Sequence, residues 1–344
     1  MSRYITKTRG VGRSILLLTS ATLLLASCAS ASTARHADGQ PSISINAPLT
    51  AVACTTTGAC VAVGASGGAG APTTTAQVRN HQGIWSALQV PGAPVATIYA
   101  GACATTRCLF GGTDESGELL WSINANTGAV KTLRGPAGGL VIHDLSCVDD
   151  HDCAVLDATA NSTARFSFTT SAGGSWSAPR TLAWTASKST TMTCVGARTC
   201  YVATTSATHH VVLRETLNGG RSWRAVTTPT AWTSLSSLDC STTCVALVTT
   251  TKGSAVAVPS TKVASQGWSE TYVPLHASSM SCSSVTTCLV VGHLGGQTPA
   301  MSEWQSSGAH NVTLDYVPSA LTDVACRPSI CVAIALTTVV ALRP

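Results

Sequence analysis

From residue 49 onward the chain is written in short apolar–polar alternations whose period is that of strands, not helices. The runs CVAVG, CAVLD, CYVAT, CVALV, CLVVG and CVAIA recur. A second short alternation precedes each hairpin, as in LTAVAC, HDLSC, SLDC, SMSC and LTDVAC. Brief polar turns separate the two. Apart from the N-terminal leader, no long stretch carries an apolar stripe at helical spacing. Thr and Val favour strands and Gly and Ser favour turns, and these residues dominate a chain with only 10% charged positions. The pattern predicts an all-β protein. With 44% apolar residues there is ample material for a core, which argues against disorder.

Cysteine gives the pattern its period. With Cys28 set aside, fourteen cysteines arrive two at a time: Cys54/Cys60, Cys103/Cys108, Cys147/Cys153, Cys194/Cys200, Cys240/Cys244, Cys282/Cys288 and Cys326/Cys331. Successive first cysteines are 49, 44, 47, 46, 42 and 44 residues apart, the size of one four-stranded propeller blade. Three to five residues separate the members of a pair, which fits a hairpin with one cysteine at each root. Facing positions there are close enough for a disulfide. Each bond closes a small loop, so chain entropy contributes only about 2 kcal/mol, but it also holds the hairpin in register. Zinc is the competing explanation, yet Cys₄ sites favour two to four residues between ligands and need two pairs brought together, whereas these pairs sit about 45 residues apart in separate units. Redox chemistry is disfavoured because no pair has the C-x-x-C spacing. Seven disulfides are the expectation, with no metal and no cofactor.

Each unit continues with a third strand and a tryptophan-bearing fourth. In VVLRETLNGGRSWRAV, Thr216, Asn218, Gly220, Ser222 and Trp223 fall on the pattern S/T-x-D/N-x-G-x-S/T-W. FSFTTSAGGSWSAP repeats it with Thr169, Gly173, Ser175 and Trp176, and Ser171 replaces the acid. HQGIW and SQGW, near Trp85 and Trp268, keep little beyond glycine and tryptophan, and Trp121 and Trp304 fall in third strands. A short polar side chain caps the turn, glycine relieves the backbone, and the tryptophan drops between sheets. The last unit has only three strands, LTDVAC, CVAIAL and VVALRP, while PSISINAP ahead of the first has no partner. Residues 42–46 are therefore expected to supply the outermost strand of the last blade and close the ring, hiding its edges. The fold class predicted is a seven-bladed β-propeller over residues 41–344.

These repeats resemble the Asp-box, or BNR, repeats of sialidases, sortilin-like receptors and photosystem assembly factors. With the paired cysteines, the chain resembles secreted actinobacterial lipoproteins with paired-cysteine blades. In such a propeller the first-to-second and third-to-fourth turns share one face. The resemblance thus implies that binding uses the opposite, crossover face, at the mouth of the channel.

Charge changes the picture at the N-terminus. The formal charge is +5, but Arg3, Lys7, Arg9 and Arg13 stand in the first 27 residues with no acid beside them. The remainder holds 16 basic and 15 acidic residues. A near-neutral domain lacks the basic field that nucleic acid binding requires. The basic start leads into SILLLTSATLLLA and then Leu25-Ala26-Ser27-Cys28, a run too short for a comfortable membrane span. The spacing resembles the lipobox of bacterial lipoproteins. That implies a signal peptide over 1–27, a lipidated Cys28 as first mature residue, and a flexible tether over 28–40. Acyl chains would then anchor the protein to the outer side of the cytoplasmic membrane, at roughly 0.8 kcal/mol per buried CH₂. Export also places the other cysteines in an oxidising compartment.

Candidate binding residues on the crossover face are Asp114, Glu115, His143, Trp184, Trp232, His293 and Tyr316, and the same face is expected to carry Lys252 and His276. Trp184 and Trp232 lie outside the blade pattern. They either stack on a partner or cover the end of the core. The acidic turn Asp149, Asp150, Asp152 is either a weak cation site or a solvated turn. No catalytic residue is assigned. A sialidase-like site would need an arginine cluster and a tyrosine nucleophile beside an acid. Tyr201 stands in a repeated strand position and reads as structural. The leading expectation is a non-catalytic envelope scaffold that binds a protein or glycan. The alternatives are a glycoside hydrolase or lyase with its site at the channel mouth, and a structural envelope component.

Overall fold

The computed structural model describes residues 43–44, 48–65, 74–90, 96–185, 190–206, 208–240, 243–260, 267–312, 314 and 317–342. Cys28, the leader, the tether and Tyr316 lie outside the described residues. The described strands form seven antiparallel sheets of four, six in simple sequence order from the innermost strand outward. The seven inner strands are Ala51–Cys54, Ala96–Cys103, Val141–Cys147, Thr191–Gly196, Trp232–Cys240, His276–Ser284 and Leu321–Arg327. They open blades 1 to 7. In the seventh sheet Ile43–Ser44 pairs with Thr338–Leu342, with Ile43 opposite Val339 and Ser44 opposite Thr338. The ring closes as the strand count requires.

Seven hydrophobic clusters hold the blades, and each is shared by two neighbours. Blades 1 and 2 share Val61, Val63, Ile98, Phe110 and Trp121. Blades 7 and 1 share Leu49, Val52, Val332, Ile334 and Val339, which seals the ring. The core is therefore distributed between sheets rather than gathered at a centre. The run VAIALTTVVAL divides into the two buried strands Ile330–Ala335 and Thr338–Leu342.

Every blade carries its own disulfide. In chain order Cys54 bonds to Cys60, Cys103 to Cys108, Cys147 to Cys153 and Cys194 to Cys200. Cys240 bonds to Cys244, Cys282 to Cys288 and Cys326 to Cys331. In each case the two cysteines are direct partners in the ladder between the first and second strands. Their Cα atoms stand 3.9–4.0 Å apart. The second cysteine of each pair, from Cys60 to Cys331, starts or nearly starts the second strand, so the bond closes the hairpin at its root. No bond joins one blade to another, and the competing Cys₄ arrangement, which draws on two pairs, is not formed by these residues.

The two turns that carry the S/T-x-D/N-x-G-x-S/T-W pattern, wholly or in part, are built as their sequences imply. In blade 4, Thr216 Oγ1 accepts from the N–H groups of Asn218 and Gly220, and Asn218 Oδ1 accepts from Ser222 N at 2.9 Å. In blade 3, Thr169 Oγ1 accepts from Ser171 N and Gly173 N, and Ser171 Oγ takes the place of the amide by accepting from Ser175 N. A hydroxyl thus does in blade 3 what an amide oxygen does in blade 4 without loss of the turn. Trp176 and Trp268 reach back to the preceding blade, where their indole N–H groups donate to Arg134 O and Thr227 O.

Candidate functional site

The channel is built from one repeated position. In five inner strands the ladder skips a residue four places before the first cysteine: Tyr99, His143, Ser236, Ser278 and Thr322. A bulge turns the skipped residue out of the ladder and re-aims it. The second strand must then pass unusually close. A Cβ on Gly112 would sit 1.9 Å from Thr97 O, and one on Gly292 would sit 2.0 Å from His276 O. The bulged residues, with Thr50 and Thr190 at the same position in blades 1 and 4, line a central cavity of about 550 Å³.

Below this ring, side chains one and three places before the first cysteine staple the inner strand of blade 3 to that of blade 4, and those of blades 5, 6 and 7 to the next around the ring. Asp144 Oδ2 accepts from Met192 N at 2.6 Å and from the Thr191 hydroxyl at 3.0 Å. Its Oδ1 accepts from Leu145 N. Ser146 Oγ accepts from Cys194 N, Ser237 Oγ from Met280 N, Asp239 Oδ2 from Cys282 N and Ser281 Oγ from Cys326 N. Asp323 accepts from Val52 N, Val324 N and the Ser279 hydroxyl, so it spans blades 6, 7 and 1. Inner strands have a free edge, and these side chains satisfy donors that the edge would leave unpaired.

Burial pushes the carboxyls of Asp144 and Asp323 up to about 6, against the pull of the N–H and O–H groups they accept, and Asp144 also feels Asp323. Burial raises Asp239 as well, and it lowers both His143 and Arg327. Arg327 reaches across the cysteine end of the channel. It donates to Cys326 O in its own blade and, at 3.0 Å, to Cys103 O of blade 2. Tyr99 is the one aromatic residue lining the cavity besides His143 in the described ring, and it is 49% exposed.

No family model matches the chain, and no curated protein sequence matches it. Solved structures do resemble it. One is YCF48 bound to D1 peptide, with TM-score 0.61 and 12% identity over 88% of this chain and 96% of that one. Another is virginiamycin B lyase from Staphylococcus aureus, with TM-score 0.62 and 10% identity over 88% of this chain and 98% of that one. A chain of a mitotic checkpoint complex has TM-score 0.60 and 10% identity over 100% and 99%. At such identities only the fold is shared.

The residues expected on the crossover face do not form one site. His143 stands in the inner strand and lines the channel. Trp232 is not an exposed stacking surface. It opens the inner strand of blade 5, is fully buried, packs edge-on to Trp268 at 5.0 Å, and donates to Glu270 Oε1 at 2.7 Å. It covers the end of a core because burying a large indole with its N–H satisfied removes more apolar surface than display would. Trp184 belongs to the outer strand Arg180–Thr185, not to a crossover, and its side chain lies outside the described residues. Asp114 caps its own turn, accepting from Ser116 N and Oγ, beside the exposed Glu115. His293 pairs with His276 in blade 6. Lys252 lies 5.9 Å from the Tyr272 ring centroid.

The acidic turn is a staple. Asp150 accepts from Thr105 N, Thr106 N, Arg107 N and the Thr106 hydroxyl, tying blade 3 to blade 2, while Asp149 caps its own turn. Burial alone would raise the Asp150 carboxyl, but these donors hold it below its ordinary value. Among the described residues no group of three or more His, Cys, Asp or Glu is placed to hold a metal. Tyr201 donates to Glu215 Oε1 at 2.7 Å, and Arg224 pairs with the other oxygen. Burial, followed by the Glu215 contact, pushes the Tyr201 hydroxyl up to about 12. Tyr201 stands directly opposite Glu215 in the ladder, so the contact joins the second and third strands of blade 4.

Sequence reasoning missed two features. One is Tyr99, whose signal was an aromatic residue where other blades place Thr, Ser or His. The other is a buried charge cluster between blades 2 and 3. Arg165 Nε contacts Asp157 Oδ1 at 2.6 Å, and its Nη1 donates to Ala137 O in the crossover. Glu118 lies against the same crossover, where a Cβ on Gly139 would come within 2.6 Å of its Oε2. Burial, then the nearby Asp157, pushes the Glu118 carboxyl up to about 8 despite Arg165.

Proposed function

We propose that the protein is an exported, lipid-anchored binding propeller that takes up a protein or glycan partner at the mouth of its channel. One observation supports this most directly: an exposed aromatic, Tyr99, stands in a ring otherwise made of small hydroxyl residues and His143, lining the central cavity. Aromatic side chains with polar neighbours make effective anchors for partners. The channel carboxylates accept hydrogen bonds that hold neighbouring blades together, which favours a scaffold over a catalyst. YCF48, a propeller of the same fold, is bound to D1 peptide. That likeness supports a peptide as the first ligand class to try.

Arrays of extended peptides and of envelope glycans, probed with the disulfide-bonded domain, test the reading. Replacing Tyr99 with alanine is expected to weaken a captured ligand by about tenfold, or roughly 1.4 kcal/mol. A ligand that binds the variant as tightly as wild type would move the site away from the channel.

Anchoring rests on the lipobox-like residues Leu25 to Cys28. Replacing Cys28 with alanine is expected to shift the protein from the membrane to the soluble fraction while its propeller stays folded. Firm membrane retention of the variant on fractionation counts against lipidation.

A further inference from the structure

The start of blade 6 holds a cross-strand histidine pair. His276 opens the inner strand and His293 ends the second, opposite each other in the ladder. Their rings stack with centroids 5.1 Å apart and planes 28° from parallel. His293 Nδ1 lies 2.8 Å from Leu294 O. A carbonyl oxygen only accepts, so Nδ1 carries the hydrogen, and the neutral ring keeps its lone pair on Nε2. Metal-bound histidines are held in the same way, with one nitrogen donating to a carbonyl and the other left to ligate.

His276 is exposed, and none of the hydrogen bonds among the described residues engages its ring, so it is free to turn toward its neighbour. The backbone beneath the pair is fixed. Both residues are in the ladder, and Gly292 lets the second strand press against His276 O. Neutral imidazoles suit borderline transition metals and discriminate against Ca²⁺ and Mg²⁺, which take oxygen ligands.

We propose that His276 and His293 form a two-point site for a transition-metal ion, Zn²⁺ or Cu²⁺, through Nε2 of His293 and a ring nitrogen of His276. Such ions take about four ligands, so further positions stay open to water or to a donor from a partner. The inference does not depend on the channel-binding reading, because the pair uses none of the groups assigned to the channel mouth.

Titration of the full-length, disulfide-bonded chain with Cu²⁺, followed by electron paramagnetic resonance, is expected to show one saturable site with two nitrogen ligands that Zn²⁺ displaces. His276→Ala and His293→Ala should each weaken binding by about 10–100-fold. A His209→Ala/His210→Ala control should leave it unchanged. In the wild-type chain, Zn²⁺ should shift the ring resonances of His276 and His293, a readout that needs no substitution. Absence of saturable binding overturns the proposal. So does an unchanged affinity and spectrum in the His276→Ala/His293→Ala double variant.

Discussion

Replacing Arg165 with alanine is expected to destabilise the propeller by about 3–5 kcal/mol, the cost of leaving a buried charge without its partner. Asp157 is fully buried, its Oδ1 faces Arg165 Nε, and its Oδ2 has no hydrogen-bond partner among the described residues. Without the guanidinium the carboxyl must take up a proton or draw in water, and the crossover carbonyl of Ala137 loses a donor as well. Replacing both members, Asp157→Leu with Arg165→Met, is expected to recover much of the loss, since apolar residues of similar volume often substitute for a buried pair. Chemical denaturation of the three proteins under oxidising conditions reads this directly. If Arg165→Ala costs less than about 1 kcal/mol, the pair is solvated and the cluster is not a closed part of the core.

The second large effect is a fall in stability as pH rises. Glu118 holds its proton up to about pH 8 in the folded chain and gives it up near the ordinary 4.5 when unfolded. Between those values the native state binds more protons, so its stability declines with increasing pH. The contribution is complete below pH 4.5 and is lost through pH 8. Asp144 and Asp323, raised from 3.8 to about 6, act with the same sign over the lower part of that window. Asp149, Asp150 and Glu215 are held below their ordinary values and act with the opposite sign, losing their contribution as pH falls below about 4. Thermal midpoints should therefore peak in mildly acidic buffer and drop toward pH 8. Glu118→Gln is expected to flatten the upper half of the profile and to exceed wild type in Tm at pH 8. A variant whose profile runs parallel to wild type would place the titration elsewhere.

The ring was legible in the sequence because its punctuation is covalent and periodic. Cysteine marks the same two strand positions in every blade, and a three-stranded last unit facing an unpartnered PSISINAP leaves one way to close. The direction of individual side chains was harder to read. Alternation assigns faces only while the period of two holds, and the bulges at Tyr99, His143, Ser236, Ser278 and Thr322 break it. His143 therefore moved from an expected crossover into the channel. The two readings of Trp232, partner contact or cover for the end of the core, were left open for another reason. Its position outside the repeat pattern says nothing about exposure, and Glu270, which accepts its N–H, lies 38 residues away. The Glu118, Asp157 and Arg165 cluster left still less trace. Three charged residues spread over 48 positions meet only because blades 2 and 3 pack side by side. The staples before the first cysteines of blades 3, 5 and 6 were present as DLSC, SLDC and SMSC. They read as ordinary alternation until the neighbouring strand showed what the polar members accept.

Six blades are continuous stretches of chain, and each has a covalent bond inside its own hairpin. The seventh borrows its outermost strand from the other end of the sequence, through a ladder of two residue pairs. Like a bracelet of riveted links with one clasp, the molecule concentrates its weakness at a single junction. Tension applied ahead of Ile43 reaches that clasp before any other part of the ring, so it can come undone while the riveted links keep their shape.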